Sequence, residues 1–136
     1  MIIDTSTRLC DKNCTKVAFV SKNIEIFDTE YIHLKKYNCK KQLKQQKRNI
    51  EDVMAIDTTS NYILYAVVKS DIFDNVDADV IKNIISKINT FCLYNNITEI
   101  AISKSAFNRY CNDQYNYLYT LFTEIFDNNV IIYICI

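Results

Sequence analysis

A run of basic side chains is the strongest local charge in the sequence. Seven lysines and arginines, and no acid, lie between Lys35 and Arg48. Four of them recur at intervals of four residues, so a helix would place them in one stripe: Lys36, Lys40, Lys44 and Arg48. Such a stripe could follow the phosphates of a nucleic acid or another polyanion. The alternative is the solvated face of an ordinary helix, because 16 basic and 16 acidic residues leave the whole chain without net charge.

The six cysteines and the single histidine offer soft ligands without a metal-binding pattern. Cys10 and Cys14 have no partner pair at the spacing of a zinc finger, and His33 has no visible partner for general-base catalysis. We predict no metal, no cofactor, and free, mostly buried thiols in a reducing compartment. The sequence has no signal peptide and no membrane span, so we expect a cytoplasmic protein, in the host-cell cytoplasm or nucleus if the source is a virus.

Glycine and proline are absent from all 136 residues. Without glycine, the phosphate loops and nucleophile elbows of many nucleotide-binding and acyl-transfer enzymes cannot be built. Turns that need a left-handed backbone must use asparagine or aspartate instead, and both Asn95-Asn96 and Asp127-Asn128-Asn129 stand where turns are expected. The abundance of isoleucine, asparagine, lysine and tyrosine is typical of an AT-rich genome, such as that of some large DNA viruses.

Hydrophobic patterns predict strands that alternate with helices. Strands are expected at residues 16–21, 53–56, 62–69, 99–103 and 130–135, the second and third of which form a hairpin. Helices are expected over residues 29–48, from Asp77 or Asp79 to Tyr94, and from Asp113 onwards. The order of elements predicts one α/β domain over residues 1–136, with a mixed central sheet and helices on both sides.

Two of the helices carry clear apolar faces. The helix that ends at Tyr94 should bury Ile81, Ile84, Ile85, Ile88 and Cys92. The last helix should bury Tyr115, Leu118, Tyr119, Phe122, Ile125 and Phe126. Both faces predict helices that pack on the sheet.

Several stretches within residues 42–135 resemble the macro domain family. Residues 42–47 end a helix before the hairpin whose second strand is Ile63–Lys69. Residues 90–103 are similar to the family's helix, asparagine turn and strand before its second phosphate loop, and residues 121–134 are similar to its closing helix and strand. The resemblance implies a three-layer α/β/α macro-domain-like fold. The most similar branch is that of terminal ADP-ribose protein glycohydrolase, which cleaves ADP-ribose from modified carboxylates.

The resemblance also implies where the parts of an ADP-ribose site should lie. The second phosphate loop corresponds to Lys104, Ser105, Ala106, Phe107, Asn108, Arg109 and Tyr110. In that loop Lys104 matches a basic position, Ala106 and Asn108 replace two glycines, and Tyr110 replaces the catalytic aspartate. Asp113 could supply that aspartate only after a small insertion. The chain begins close to the family's acidic adenine contact, a role that the resemblance gives to Asp4, so the first strand is expected to be shortened or absent.

Lys69 is the one catalytic residue of the branch that is retained. The matching lysine is proposed to attack the anomeric carbon of the ribose, with an aspartate assisting. A nucleophilic lysine needs a lowered pKa and a base partner. The alternative is a lysine that extends from the end of a strand into solvent.

These features together predict a macro-domain-like protein that has lost catalysis and most of its ADP-ribose affinity. It would act as a protein-interaction or self-assembly module, because Phe107, Arg109 and Tyr110 bring interface-favouring side chains to the former cleft. One alternative is a divergent ADP-ribose reader, or an ADP-ribosyl-protein hydrolase that uses Lys69 and Asp113. The other is a nucleic-acid-binding accessory protein that acts through the basic stripe. No membrane partner is expected.

Overall fold

The strands form where β-branched and aromatic residues are concentrated. The computed structural model describes residues 1–23, 41, 43, 45, 48–71, 73–104, 115–126 and 128–136. Its strands are Ile2–Thr5 (β1), Thr15–Ser21 (β2), Val53–Asp57 (β3), Tyr62–Lys69 (β4), Glu99–Ser103 (β5) and Ile131–Cys135 (β6). All five predicted strands are confirmed to within one residue at each end.

The described strands form one mixed sheet in the order β1-β6-β5-β2-β4-β3. Every pair is parallel except β3 and β4, which form the predicted antiparallel hairpin. β1, expected to be shortened or absent, is present as a four-residue edge strand paired with β6. Asp4 is exposed on that edge. β2 and β4 are buried along almost their whole length, so both faces of the sheet centre are covered.

Two helices follow β4 and β5. Helix α1 spans Ala78–Tyr94, and its amino end is capped by Asp77, whose carboxylate accepts from the Asp79 backbone N–H at 2.8 Å. Its buried residues are the predicted ones: Ile81, Ile84, Ile85, Ile88 and Cys92. Helix α2 spans Tyr115–Phe126 and packs against α1.

The buried stripe of α2 differs from the predicted one at Tyr119. The fully or nearly buried residues are Leu118, Leu121, Phe122 and Phe126. Tyr119 is 39% exposed, so its assignment to the core was wrong. Leu121 and Phe122 occupy the centre of the stripe, which leaves Tyr119 at its border with the phenol end accessible to water.

Four described residues have a left-handed backbone, and none is glycine: Glu51, Thr59, Asn96 and Asn128. Asn96 and Asn128 confirm the predicted asparagine turns. Asn96 follows α1, and the Ile97 N–H donates to the Cys92 carbonyl at 2.9 Å, the long-range bond of a Schellman ending. Asparagine thus performs the helix-ending role that glycine usually has.

The other two left-handed residues shape the hairpin. Glu51 has φ of 80° and its N–H donates to the Val67 carbonyl, while the Val67 N–H donates to the Asp52 carbonyl. Glu51 and Asp52 on one strand therefore oppose the single residue Val67 on the other, as in a G1 β-bulge. Thr59 has φ of 73° within the turn that the Thr58 N–H and the Asn61 carbonyl close at 2.9 Å.

The structure describes the thiol groups of three cysteines. Cys14, Cys92 and Cys135 are buried and form no disulfide, as predicted. Within the described ranges no helix combines the length and apolarity needed to cross a bilayer.

Candidate functional site

The topology creates a crevice between β2 and β5. After β2 the chain continues to β3, which lies to one side of the β5–β2 pair in the strand order, and after β5 it continues to β6, which lies to the other side. The carboxyl ends of β2 and β5 are therefore a topological switch point. Their pairing extends only to Val17 and Ile102, although β2 continues to Ser21. Ligands of open α/β sheets bind at such a point. We name the ends of the parallel strands, at Thr5, Ser21, Lys69, Ser103 and Cys135, the carboxyl edge.

Buried polar residues are concentrated at this edge. Among the described residues, the buried polar or charged ones are Thr15, Ser21, Lys69 and Ser103, and the last three terminate β2, β4 and β5. Ser21 and Lys69 are paired across β2 and β4. Buried polar groups must be hydrogen-bonded, so an edge rich in them is either an internal bonding network or a ligand site.

The Lys69 amine is part of an internal network. Lys69 is only 4% exposed, and its Nζ donates to the backbone carbonyl of Asp74 at 3.0 Å. The alternative of a solvent-extended lysine is therefore wrong. The reason is that β4 lies inside the sheet and the segment after it folds back over its end, bringing a backbone carbonyl to the amine.

The described residues after β4, namely 70, 71 and 73–77, form a compact turn that we name the Phe73 loop. The Asp71 N–H donates to the Asp74 carboxylate at 3.0 Å, and the Phe73 N–H donates to the Asp71 carboxylate at 3.0 Å. The Asp74 N–H returns to the Asp71 carbonyl at 3.0 Å. These bonds hold the backbone while the Phe73 ring is 86% exposed. Asp71, Asp74 and Asp77 are exposed in the same loop, which contains no basic residue.

Two exposed lysines follow the strands that border the crevice. Lys22 follows β2 and Lys104 follows β5. The Lys22 N–H donates to the Lys69 carbonyl at 2.8 Å, which links the start of the segment after β2 to the end of β4. The described mouth of the crevice therefore carries positive charge.

Arg48 does not belong to a helical stripe. Residues 41 and 43 are helical, residue 45 is in a turn, and Arg48 lies beyond the helix. Its Nε donates to the Lys22 carbonyl at 2.8 Å and a terminal nitrogen donates to the Leu43 carbonyl at 2.7 Å. The expectation that Arg48 continues the stripe was wrong, because its guanidinium joins the end of that helix to the segment after β2.

Other predicted site residues lie elsewhere. The structure brings Lys69 and Lys104 to the carboxyl edge, whereas Asp4 lies on the edge strand β1, separated from β5 by β6. The remaining residues of the expected phosphate loop, Ser105 to Tyr110, lie outside the described residues. So do Asp113 and the lysines Lys36, Lys40 and Lys44.

Sequence reasoning missed the two serines of the crevice. Ser21 and Ser103 each close an otherwise apolar strand. A polar residue at the same end of two buried parallel strands is a signal that the printed sequence contains. Its meaning depends on knowing that β2 and β5 are neighbours.

Solved structures that superpose on this fold include macrodomains. The macrodomain of Thermus aquaticus DarG is 11% identical, with 100% of this chain and 98% of that chain covered and a TM-score of 0.78. The macrodomain of Mycobacterium tuberculosis DarG is 17% identical, with 98% and 97% covered and a TM-score of 0.76. The alphavirus protein P23pro-zbd is 10% identical, with 99% of this chain and 21% of that chain covered and a TM-score of 0.76.

These likenesses define the fold of the chain. It is a single α/β domain with the macrodomain fold, as the resemblance implied. At the level of sequence, no protein-family model and no curated protein matches it. Identities this low establish the architecture, so the activity must be argued from the chain's own residues.

Proposed function

We propose that this chain is a non-catalytic macrodomain that binds a protein partner through its carboxyl edge. The observation that carries the proposal is the bond from Lys69 Nζ to the Asp74 carbonyl at 3.0 Å. A nucleophilic lysine must be deprotonated and must present its lone pair to the substrate. A buried amine that donates to a backbone carbonyl instead fastens the Phe73 loop to the end of β4.

The sequence after β5 supports the loss of catalysis. Ala106 and Asn108 stand where the resembling branch has glycines, and Tyr110 stands where it has an aspartate. A Cβ at each glycine position obstructs the close approach of backbone N–H groups to a diphosphate. The phenol of Tyr110, which is neutral at pH 7, would not take up a proton as a carboxylate at that position would.

The Phe73 loop supports a partner-binding role. An aromatic ring that is 86% exposed on a hydrogen-bonded loop loses little conformational entropy on binding. Rigid aromatic anchors are frequent among the residues that dominate interface energetics. Asp71, Asp74 and Asp77 are exposed in the same loop and give it negative charge, so the partner should offer an apolar pocket next to basic side chains.

Loss of catalysis is tested with a peptide that carries ADP-ribose on a glutamate carboxylate. Wild type and Lys69→Met, which removes the amine but keeps an unbranched side chain one atom shorter, are incubated with it. We expect no release of ADP-ribose by either protein, measured by mass spectrometry. Release by wild type that Lys69→Met abolishes would contradict the proposal.

Partner binding is tested with a photo-crosslinking amino acid at position 73. Tyr94 is the matched control, because it is 85% exposed and lies at the other end of α1. We expect a discrete adduct from position 73 and none from position 94. The captured protein, once purified, should bind Phe73→Ala at least tenfold more weakly than wild type or Tyr94→Ala. Equal binding by all three proteins would remove the Phe73 loop from the interface.

A second candidate is ADP-ribose binding without hydrolysis, and the exposed Lys22 and Lys104 beside the crevice favour it. Titration calorimetry with ADP-ribose separates the two candidates. Two lost charge-assisted backbone contacts, each about 1.5–3 kcal/mol, would weaken binding by about two to four decades. We therefore expect millimolar or weaker affinity, and a micromolar dissociation constant would favour the second candidate.

A further inference from the structure

A polar cavity of about 390 Å³ lies at the opposite end of the sheet from Lys69. It is open to solvent and is lined by three chain segments: residues 13–15 at the start of β2, residues 57 and 59–62 at the hairpin turn, and residues 95–99 between α1 and β5. We name it the amino-edge cavity. Its volume lies within the range of small-molecule sites, about 300–1,000 Å³.

The walls of the amino-edge cavity are joined by hydrogen bonds. The side-chain amide of Asn61 donates to the side-chain oxygen of Asn13 at 3.1 Å, which connects the hairpin turn to the start of β2. The Tyr62 N–H donates to the Thr15 hydroxyl at 3.3 Å. The Thr59 N–H donates to an Asp57 carboxylate oxygen at 2.7 Å within the hairpin turn. A cavity held in this way needs little ordering when a ligand enters.

The chemistry of the lining disfavours anionic and apolar ligands. Asp57 and Glu99 contribute carboxylates, and no lysine or arginine lines the cavity. An anion would meet two like charges, and an apolar molecule would bury polar groups without partners. Two cations, Lys12 and Lys16, lie next to the cavity without lining it, and Lys16 donates to the Cys14 carbonyl at 3.3 Å.

Amide and hydroxyl groups dominate the rest of the lining. Asn61, Asn95 and Asn96 contribute side-chain amides, and Ser60 and Thr98 contribute hydroxyls. The Asn61 amide already donates to Asn13, and the Asn95 amide donates to the Phe91 carbonyl at 2.8 Å, so each has one N–H left for a ligand. Each such group both donates and accepts hydrogen bonds, which is also true of the hydroxyls of a sugar. The Glu99 carboxylate accepts from the Tyr133 hydroxyl at 3.1 Å and the Asp57 carboxylate accepts from the Thr59 N–H, and each keeps further lone pairs that can accept from sugar hydroxyls.

Tyr62 adds the apolar surface that a sugar ring requires. Its ring packs against the Phe91 ring in a T-shaped arrangement, with centroids 5.1 Å apart and an interplanar angle of 87°, and this contact restrains its orientation. A sugar presents hydroxyls at its rim and C–H groups on its faces, which matches polar walls around an aromatic side chain. We propose that the amino-edge cavity binds a small neutral sugar. This proposal is independent of the partner surface at the carboxyl edge.

The first test is a titration of the ¹⁵N-labelled full chain followed by NMR. The probes are glucose, galactose, mannose, maltose and lactose, with spermidine as a cationic comparison. We expect at least one sugar to shift the side-chain amide signals of Asn61, Asn95 and Asn96 in a saturable way. The backbone amide signals of Ser21 and Ser103 should stay in place.

The second test uses variants that remove hydroxyls from the cavity. The double variant Ser60→Ala with Thr98→Val should weaken binding of the responding sugar about tenfold, since it loses two neutral hydrogen bonds. Ser86→Ala, an exposed serine of α1 outside the cavity, is the matched control and should bind like wild type. Circular dichroism and thermal melts verify that all variants are folded.

Three outcomes would overturn the proposal. One is the absence of any saturable shift with the five sugars. Another is a sugar affinity that the double variant leaves unchanged. The last is a response to spermidine alone that Asp57→Asn removes, because this substitution eliminates a charge and keeps the acceptor for the Thr59 N–H. That result would identify a cation site instead.

Discussion

The four left-handed residues differ in how well their side chains tolerate that backbone. Asparagine adopts the left-handed region readily, whereas a β-branched residue there is a genuine outlier. Asn96 and Asn128 therefore tolerate their positive φ angles, whereas the backbone of Thr59, with φ of 73°, is strained. In a chain without glycine, the hairpin turn is therefore the position where the lack of a glycine costs the most conformational strain.

Thr59→Gly should stabilise the protein. Relief of the left-handed strain, about 1–2 kcal/mol, exceeds the entropy that glycine loses on folding, about 0.5–1 kcal/mol, so we expect a net gain of about 0.5–1 kcal/mol. Urea denaturation measures this gain. Ser60→Gly is the matched control, because Ser60 is in the same turn without positive φ and should lose about 0.5 kcal/mol. Destabilisation by Thr59→Gly would refute the strain assignment.

Arg48 illustrates how one side chain can join segments that are distant in sequence. It donates to the carbonyls of Lys22 and Leu43, which lie 26 and 5 residues away. Two of its three guanidinium nitrogens, Nε and one terminal nitrogen, donate to different acceptors, and the single ammonium of a lysine cannot reproduce this geometry. The positive charge of the basic run is therefore partly used in holding the fold.

At the scale of elements, α1 connects the two edges of the sheet. Its capped amino end follows the Phe73 loop, and its carboxyl end leads through Asn96 into the amino-edge cavity. Between them the buried face packs on the sheet and ends at Cys92, whose carbonyl accepts the Schellman bond from Ile97. The same helix therefore positions a candidate interface and a candidate ligand cavity.

The buried Cys92 thiol should make stability depend on pH under alkaline conditions. Burial raises the pKa of the Cys92 thiol from 9.0 to about 12. The unfolded chain loses this proton first, so the folded state loses stability as the pH rises from about 9 towards about 12. Between about pH 8 and about pH 10.5, wild type should lose about 2 kcal/mol more than Cys92→Ala.

Urea denaturation of both proteins at the two pH values measures the difference. The comparison cancels the other titrating groups, including Cys14, whose thiol pKa is also raised by burial. Equal losses in wild type and Cys92→Ala would mean that the thiol ionises as easily in the folded protein as in the unfolded chain.

At the scale of the whole molecule, the charge balance limits the partners. With 16 basic and 16 acidic residues, attraction of a nucleic acid must come from a local cluster. We expect no measurable binding of DNA or RNA oligonucleotides at physiological salt, tested by fluorescence anisotropy. Binding at low salt that falls steeply as salt rises, and that Lys40→Glu with Lys44→Glu abolishes, would instead favour the nucleic-acid alternative. Lys41→Glu, a lysine of the basic run that the structure shows exposed, is the control for nonspecific charge effects.

The two ends of the sheet present different chemistry. The carboxyl edge has Lys22 and Lys104 beside the crevice and an exposed aromatic on an acidic loop, while the amino edge has amides, hydroxyls and two carboxylates. A partner protein at one end and a small neutral ligand at the other would not compete for the same side chains. The macrodomain fold can thus carry two recognition surfaces on one sheet.

The sequence by itself determined five of the six described strands and the buried face of α1. Ile81, Ile84, Ile85, Ile88 and Cys92 follow the helical period, and the β-branched runs that became β2, β4 and β5 needed no knowledge of their neighbours. Asn96 and Asn128 were predictable as turns for the same reason, since a residue's tolerance of positive φ is a local property. Local rules therefore sufficed for the secondary structure and the fold class.

The tertiary structure alone decided what the polar residues do. Ser21 and Ser103 became the two sides of one crevice only because β2 and β5 are adjacent. Lys69 was buried because the segment after β4 folds back to offer it a carbonyl, and Arg48 left the expected stripe because two distant carbonyls came within its reach. Hydrogen bonding and desolvation depend on the groups that the fold brings within about 3 Å, and periodicity in the sequence carries no information about those partners.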